Sequence, residues 1–403
     1  LNPPPSRLVY LFTTFPKSTE TFLQREIIAM QARGLPLEIH SLWGGGGDFN
    51  GLQVRSFSKW RLLTLLWNIP LESLRKPELL RELLKGLCTR RPPSWLNFWE
   101  NMLGAGFACL HAAEFRRSRP AWLHAAWGGA PATAAWMLMR MDGHRFSAAA
   151  HAYDLYEHGG DWWLNEKLVH AAFIHTSTEM GRASLLQRGM DPARVHTIRR
   201  GLPAFPTLKR IRGIRAPLRI VCIARLVAKK GLLRQIRIYD ALQRSGRPFE
   251  VRIIGEGPLR GELEALVNQL HLTEFIRFTG HLPQPEVWKS LEWADVLVHT
   301  GVIAPSGDRD GLPNVIPEAM SAGVLVVSSS AAATTEAITH ERTGLVADVD
   351  KPEEWVEALG RLQSNDALCQ RLQAAARTWA EENYDAHKNA SRLHLLFEQE
   401  MSR

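Results

Sequence analysis

The sequence predicts an α/β fold of two domains, and three observations carry that prediction. At 403 residues the chain exceeds the usual single domain and is long enough to bury two cores. Short apolar runs alternate with helical patterns along most of its length, the order expected of parallel sheets flanked by helices. Between two such stretches lies AFPTLKRIRGIRAP, rich in proline and basic residues and poor in periodicity, which reads as a linker. The boundaries that follow are a first domain over residues 1–203, a linker over 204–217, a second domain over 218–383 and a terminal segment over 384–403.

The formal net charge of +8 points to anionic partners: nucleotide phosphates, a membrane surface or nucleic acid. Cys88, Cys109, Cys222 and Cys369 are scattered without metal-type pairing and read as reduced thiols. No apolar run approaches the roughly 20 residues that span a bilayer. The reading is a cytoplasmic protein, with the inner face of the membrane as a candidate docking surface.

In chain order, Arg7 to Phe12 is a buried strand, and TTFPKSTE turns it into a helix from about Glu20 to Arg33, ended by Gly34. Phe22, Leu23, Ile27 and Met30 give that helix its apolar face. Lys17, Ser18 and Thr19 then sit at the carboxyl end of the first strand, where open α/β sheets bind ligands, although Ser18 or Thr19 could simply cap the helix. After a strand over Leu37 to Leu42, WGGGGDF reads as a linker or mobile lid and lacks a dinucleotide fingerprint. Residues 59–119 form a helical basic insertion, with eleven Lys and Arg against five Glu, and with Trp60, Trp67, Trp95 and Trp99 interleaved. Such helices either lie in a membrane interface or form a layer with a solvated basic face. Nucleic acid is the less favoured partner, because no recognition motif accompanies the charge. His124, in the strand that opens AWLHAAWGGA, suits a core position or a site. Arg145 to Ala150 is a strand that delivers His151 and Asp154 to a loop, whereas His170 and His175 have no comparable context.

The second half opens with a strand over Leu218 to Ala224, a basic loop, and a helix with Leu232, Ile236, Tyr239 and Leu242 on one face. Arg225 and Lys230 flank the loop, and a guanidinium fork with an ammonium suits a diphosphate. In VRIIGEGPLRGELEAL, Gly255 and Gly257 allow close backbone approach. The stretch Gly307 to Gly323 is the most informative in the chain. Pro313 suits a helix entrance, Asn314 an N-cap, and Pro317 is tolerable only in the first turn, so the helix starts near Asn314 or Val315. Its leading amides, with the loop residues Gly311 and Leu312 before them, favour an anion. Glu318 lies one turn in and leans back toward the N-terminus, so it and Asp310, eight positions earlier, overlook one crevice and can accept hydrogen bonds from sugar hydroxyls.

D-x7-E followed by A-M-x-A-G resembles the E-x7-E signature of retaining GT-B glycosyltransferases of the group 1, family 4-like type, with Asp310 where the family usually has Glu. FPKSTETFLQREI resembles the F-P-x-x-S-E-T-F opening of colanic-acid-type exopolysaccharide glycosyltransferases, with Thr19 in place of Ser. Further resemblances are R-L-x-x-x-K-G at Arg225 to Gly231, an H-A-H-W-like segment at His124 with Ala126 for the second His, and the closing EAITHERTGLVAD. The resemblance implies a GT-B fold, two Rossmann-like domains facing an interdomain cleft, whose final helix, Tyr384 to Met401, crosses back to the first domain. It implies retaining transfer of a hexosyl group from a UDP- or GDP-sugar, without cofactor or metal, to a saccharide or lipid-linked acceptor in polysaccharide biosynthesis. Under it, His151 lies against the donor sugar, the backbone at His281 and Leu282 reads the base, and Lys17, Ser18, Thr19, His124 and Asp154 face the acceptor. The alternatives are a non-catalytic nucleotide-sugar-binding or membrane-docking protein, or an epimerase or phosphorylase of the same fold. No lysine context argues for pyridoxal phosphate, and TTFPKST is not the glycine fingerprint that a nicotinamide-dependent dehydrogenase needs.

Overall fold

The computed structural model describes residues 7–17, 19–56, 59–208 and 213–402. Ser18 lies outside the described residues. The chain divides into two compact units, Leu1–Gly201 with Ala386–Arg403, and Leu202–Asp385.

The first unit is an eight-stranded sheet of β1 (Leu8–Phe12), β2 (Leu37–Ser41), β3 (Gly47–Phe49), β4 (Leu52–Ser56), β5 (Trp122–Ala125), β6 (Phe146–Ala149), β7 (Ile174–Thr176) and β8 (Val195–Thr197), in the order β3-β4-β2-β1-β5-β6-β7-β8. All neighbours are parallel except β3 and β4. β1 shows why its sequence, LVYLF, is apolar without a break. Alternate side chains leave opposite faces of a strand, and here both faces are covered. Leu8, Tyr10 and Phe12 pack with the helix Thr21–Gln31 and with Leu393 and Phe397 of the terminal helix Ala386–Met401. Val9 and Leu11 pack with the helices Trp95–Ser118 and Ala130–Asp142 on the other side.

The glycine run WGGGGDF, expected as a linker or mobile lid, is corrected by the structure. Its last residues form β3, which pairs with β4 across the two-residue turn Asn50-Gly51, both at positive φ as a tight hairpin requires. Gly46 N–H donates to the Phe15 carbonyl at 3.0 Å, and a Cβ on Gly45 would stand 2.1 Å from that oxygen. Gly45 leaves no room for a side chain beside Phe15, and Gly46 none beside Ser56.

Between β4 and β5 lie a short 3-10 turn, Lys59–Thr64, and the helices Leu65–Arg75, Pro77–Thr89 and Trp95–Ser118. The last begins where Ser94 Oγ accepts the Asn97 N–H, an N-cap that its sequence provides.

The second unit is a six-stranded parallel sheet of β9 (Leu218–Ile223), β10 (Phe249–Ile254), β11 (Ile276–Gly280), β12 (Val296–His299), β13 (Leu325–Ser328) and β14 (Leu345–Val346), in the order β11-β10-β9-β12-β13-β14. The chain winds outward one way through β9, β10 and β11 and the other way through β12, β13 and β14. The direction reverses between β9 and β12, and crevices at such a reversal, beyond the carboxyl ends of the strands, are where open α/β sheets hold ligands.

Candidate functional site

The loops that follow β9 and β12 meet at that reversal. After β9 come Arg225, Lys229 and Lys230; after β12 come Asp308 and Asp310. Lys230 Nζ lies 2.6 Å from Asp310 Oδ2, and Lys229 Nζ lies 2.9 Å from Asp308 and 3.6 Å from the other Asp310 oxygen. The backbones are tied as well: Val302 N–H donates to Lys229 O at 2.8 Å and Thr300 Oγ1 donates to Lys230 O at 3.0 Å. Burial opposes ionisation of Asp310, but the ammonium groups of Lys230 and Lys229 outweigh it and hold the carboxyl down at about 2. The last residue of β12, His299, is buried with Nε2 3.9 Å from Asp310 Oδ2. Burial, reinforced by Lys230, pushes its imidazole down to about 4 against the pull of Asp310, so it is neutral at pH 7. Lys229, Asp308 and His299 were not singled out from the sequence. Adjacent lysines in AKKG look alike there, and a histidine ending an apolar strand gives no signal beyond its place before the loop.

The helix Val315–Ala322 starts within the predicted range and buries Glu318. Asn314 occupies the N-cap position, but its side chain does not cap; Oδ1 accepts the hydroxyl of buried Tyr384 at 2.7 Å instead. Leu312, Pro313 and Val315 are buried, and Gly311 is half-buried. Arg225 is exposed and pairs with no acid among the described residues. The space around Gly255 and Gly257 is filled by the chain's own backbone: a Cβ on Gly255 would stand 1.9 Å from Ala224 O, and one on Gly257 2.4 Å from Leu226 O. These two glycines therefore seat the turn that carries Arg225. Gly255 N–H also bonds Gly280 O at 2.9 Å, which ties in the end of β11, where His281 is exposed and Leu282 half-buried.

In the first unit, His151 is buried, with its ring edge-on to Trp127 and His175. Burial, then the nearby Arg200, pushes it well below the ordinary imidazole range, and its Nδ1 makes no hydrogen bond. Asp154 is held by backbone on all sides: Oδ1 accepts from His151 N at 3.0 Å and Ala152 N at 2.8 Å, and Oδ2 from Gly128 N at 3.0 Å. It clamps the loops after β5 and β6. His124 is a core histidine, with Nδ1 2.8 Å from Ser147 Oγ and Nε2 3.3 Å from His175 Nε2. Glu26, His124 and His175 place potential metal-ligand atoms within 4.8 Å of one another, but both ring nitrogens of His124 are already engaged, and Glu26 accepts the Tyr10 hydroxyl. Lys17 is exposed and pairs with Glu20 at 3.0 Å; Thr19 is exposed, and the helix that follows is capped by neither, since Glu20 holds the N-cap position. A residue missed from the sequence is Glu100. Its Oε2 is buried without a hydrogen bond, 3.1 Å from where a Cβ on Gly129 would be, and burial, then Asp161, raises its carboxyl to about 7. Only its lone charge in the apolar run FWENMLGAGF marked it.

Two α/β units built on parallel sheets, with a charged site at the strand reversal of the second, define the chain as a GT-B protein. Anabaena HepE superposes with a TM-score of 0.68 at 15% identity over 98% of this chain and 100% of its own. A sucrose-phosphate synthase from Thermosynechococcus elongatus gives 0.75 at 14% identity over 98% of each chain. Residues 206–379 match the family model described as glycosyl transferases group 1, and the second unit carries a domain of that family. The amylovoran biosynthesis glycosyltransferase AmsK of Erwinia amylovora is 31% identical over 204 residues, half of this chain and half of that protein. The putative colanic acid biosynthesis glycosyltransferase WcaL of Escherichia coli K12 is 35% identical over 128 residues, 32% of each. The matched segment thus spans about half or less of these relatives' length.

Proposed function

We propose that the protein transfers a hexosyl group, with retention, from a nucleoside-diphosphate sugar to a hydroxyl of a saccharide or lipid-linked acceptor in polysaccharide biosynthesis. The observation that carries this reading is the convergence of Lys230, Asp310 and neutral His299 at the strand reversal. Arg225 and Lys230, with the leading amides of the Val315–Ala322 helix, meet the diphosphate. Glu318 and Asp310 accept from ribose and sugar hydroxyls, and neutral His151 lies on the sugar. The bond from the anomeric carbon to the diphosphate oxygen breaks as the acceptor oxygen bonds that carbon on the same face, and the acceptor proton passes to the departing phosphate. No side chain then has to act as a general base. Support for a UDP- or GDP-sugar comes from relatives: Anabaena HepE was solved with UDP and with UDP-glucose, and a mycobacterial relative is named for GDP-mannose and a phosphatidylinositol mannoside. A peripheral position on the inner membrane face would suit a lipid-linked acceptor.

A thermal-shift panel of UDP, GDP, ADP, CMP and their sugar conjugates tests the donor site, because a ligand at 100 times its Kd stabilises the native state by about 2.7 kcal/mol. One nucleotide should raise Tm, and Arg225→Ala or Glu318→Ala should abolish the rise. A rise that survives both substitutions places the nucleotide elsewhere and overturns the assignment.

A further inference from the structure

The helices Leu65–Arg75, Pro77–Thr89 and Trp95–Ser118 enclose a cavity of about 470 Å3 in the first unit. Its walls are apolar, with Leu83, Met102, Trp136, Met137 and Trp163 among them. Lys167, Asn101 and Thr133 at its floor are satisfied: Lys167 Nζ bonds Asn101 Oδ1 at 3.1 Å and pairs with Asp161, and Thr133 Oγ1 donates to Asn101 Oδ1 at 2.6 Å, while the indole N–H groups of Trp136, Trp162 and Trp163 in its walls have no hydrogen-bond partner among the described residues. Such a space offers a water few partners and suits hydrocarbon. Ile69, Leu84, Leu87 and Trp99 line the cavity and are also 42–63% exposed, so the opening itself is apolar. Arg61, Lys76, Arg81, Lys85 and Arg91, on or beside these helices, are exposed and make no ion pair among the described residues, and of the five it is Lys76 that borders the cavity.

We propose that this cavity takes the hydrocarbon chain of an anionic lipid-linked acceptor, with Lys76 at its border meeting the lipid phosphate. The proposal rests on the transferase reading above and names how its acceptor is held. An unpaired lysine beside an apolar opening, on helices that carry further unpaired cations, complements an amphiphile with a negative head and a long tail. The placement suits an acceptor. The helix Trp95–Ser118 turns Trp99 and Met102 toward the cavity and Glu100 toward Gly129, beside the loop that Asp154 clamps. A chain in the cavity therefore lies about one helix diameter, roughly 10 Å, from the acceptor-side residues.

The test uses the purified full chain and bromine-tagged dodecyl phosphate below its micelle concentration, with glycerol phosphate as the headgroup control. Bromine in the cavity quenches Trp99, Trp136 and Trp163. Saturable quenching by dodecyl phosphate and none by glycerol phosphate is expected. Ala105→Phe and Gly106→Leu, which fill the cavity from its wall, should weaken binding at least tenfold, while Trp60→Ser with Trp67→Ser should leave it unchanged. Should the filled variants fail to fold, alkylation of the wild-type chain decides: dodecyl phosphate should slow modification of Cys109, which lines the cavity, and not of exposed Cys88. Absent saturation, wild-type affinity in the folded filled variants, or unprotected Cys109 would each overturn the proposal. So would quenching only by brominated phosphatidylglycerol vesicles and sensitive to Trp60 and Trp67, because that describes a membrane surface without a chain pocket. A nucleotide-dependent Tm rise without lipid binding removes the cavity proposal and leaves the transferase reading; lipid binding without any nucleotide response does the reverse.

Discussion

Asp310 is the residue on which the second unit's site turns, and its ionisation has a direction that can be checked. Its folded pKa of about 2 lies below the ordinary 3.8, so the unfolded chain binds the proton more tightly between those values. Stability from this group is therefore fully present above pH 4 and lost as pH falls toward 2; it amounts to about 2 kcal/mol at neutral pH and about half of that near pH 3. Urea titrations of wild type and Asp310→Asn should show a gap that narrows over that window. A gap independent of pH would mean that the carboxylate is not held by Lys229 and Lys230. Asp310 and Glu318 were legible in the sequence because proline, asparagine and the eight-residue spacing fix where a helix begins. Lys229, His299 and Glu100 were not, because their roles come from which loop faces which, and from burial. The sequence placed Lys230 as a phosphate ligand; in the structure it is the partner of Asp310, so a diphosphate would have to share it.

Among elements, strands were easier to read than turns. Runs such as LVYLF and LRIVCI could only be strands buried on both faces, and their ends were expected within one or two residues of where they fall. Glycines misled, because freedom of φ and lack of bulk look the same in a sequence. WGGGGDF was read as flexible when Gly45 makes room for Phe15 and Gly46 for Ser56. The turn after β10 makes the same point with an energetic consequence. Gly255 has φ 137° and no room for a Cβ beside Ala224 O, so Gly255→Ala should cost about 3 kcal/mol and, by displacing the segment that bears Arg225, abolish the nucleotide-dependent rise in Tm. Gly261, inside the helix Arg260–Gln269 with nothing within 4 Å, is the control: Gly261→Ala should raise stability by about 0.5–1 kcal/mol and keep the nucleotide response. Equal losses at both positions would show that the turn after β10 does not support the Arg225 segment.

For the whole molecule, the distribution of charge and apolar surface matters more than their totals. No helix among the described residues is long and apolar enough to cross a membrane. Yet residues 59–119 hold a net +6 of the chain's +8, and twelve of the seventeen exposed large apolar side chains among the described residues lie between Trp60 and Trp99. The sequence showed this charge but not which part of it is spent internally. Arg116 is bound to Glu72 at 2.5 Å and to Asp142 at 3.0 Å, and Arg90 is paired with Glu166, so neither is available to a surface. Arg75 is paired too, so eight cations of the segment make no ion pair among the described residues, and five of these, Arg61, Lys76, Arg81, Lys85 and Arg91, lie between residues 61 and 91. Each contributes about 1 kcal/mol at an anionic bilayer, and that attraction falls within a Debye length of about 10 Å at 0.1 M salt. The protein should therefore sediment with phosphatidylglycerol vesicles and not with phosphatidylcholine ones. Replacing those five with Gln should weaken binding by three to four orders of magnitude, roughly 1 kcal/mol for each charge removed. Replacing Arg90 and Arg116 should leave binding close to wild type while lowering Tm, because those groups hold the helices together. Wild-type binding after removal of the five would mean that exposed Trp60, Leu66 and Trp67 suffice to hold the bilayer, and Trp67→Ser would then be the decisive substitution.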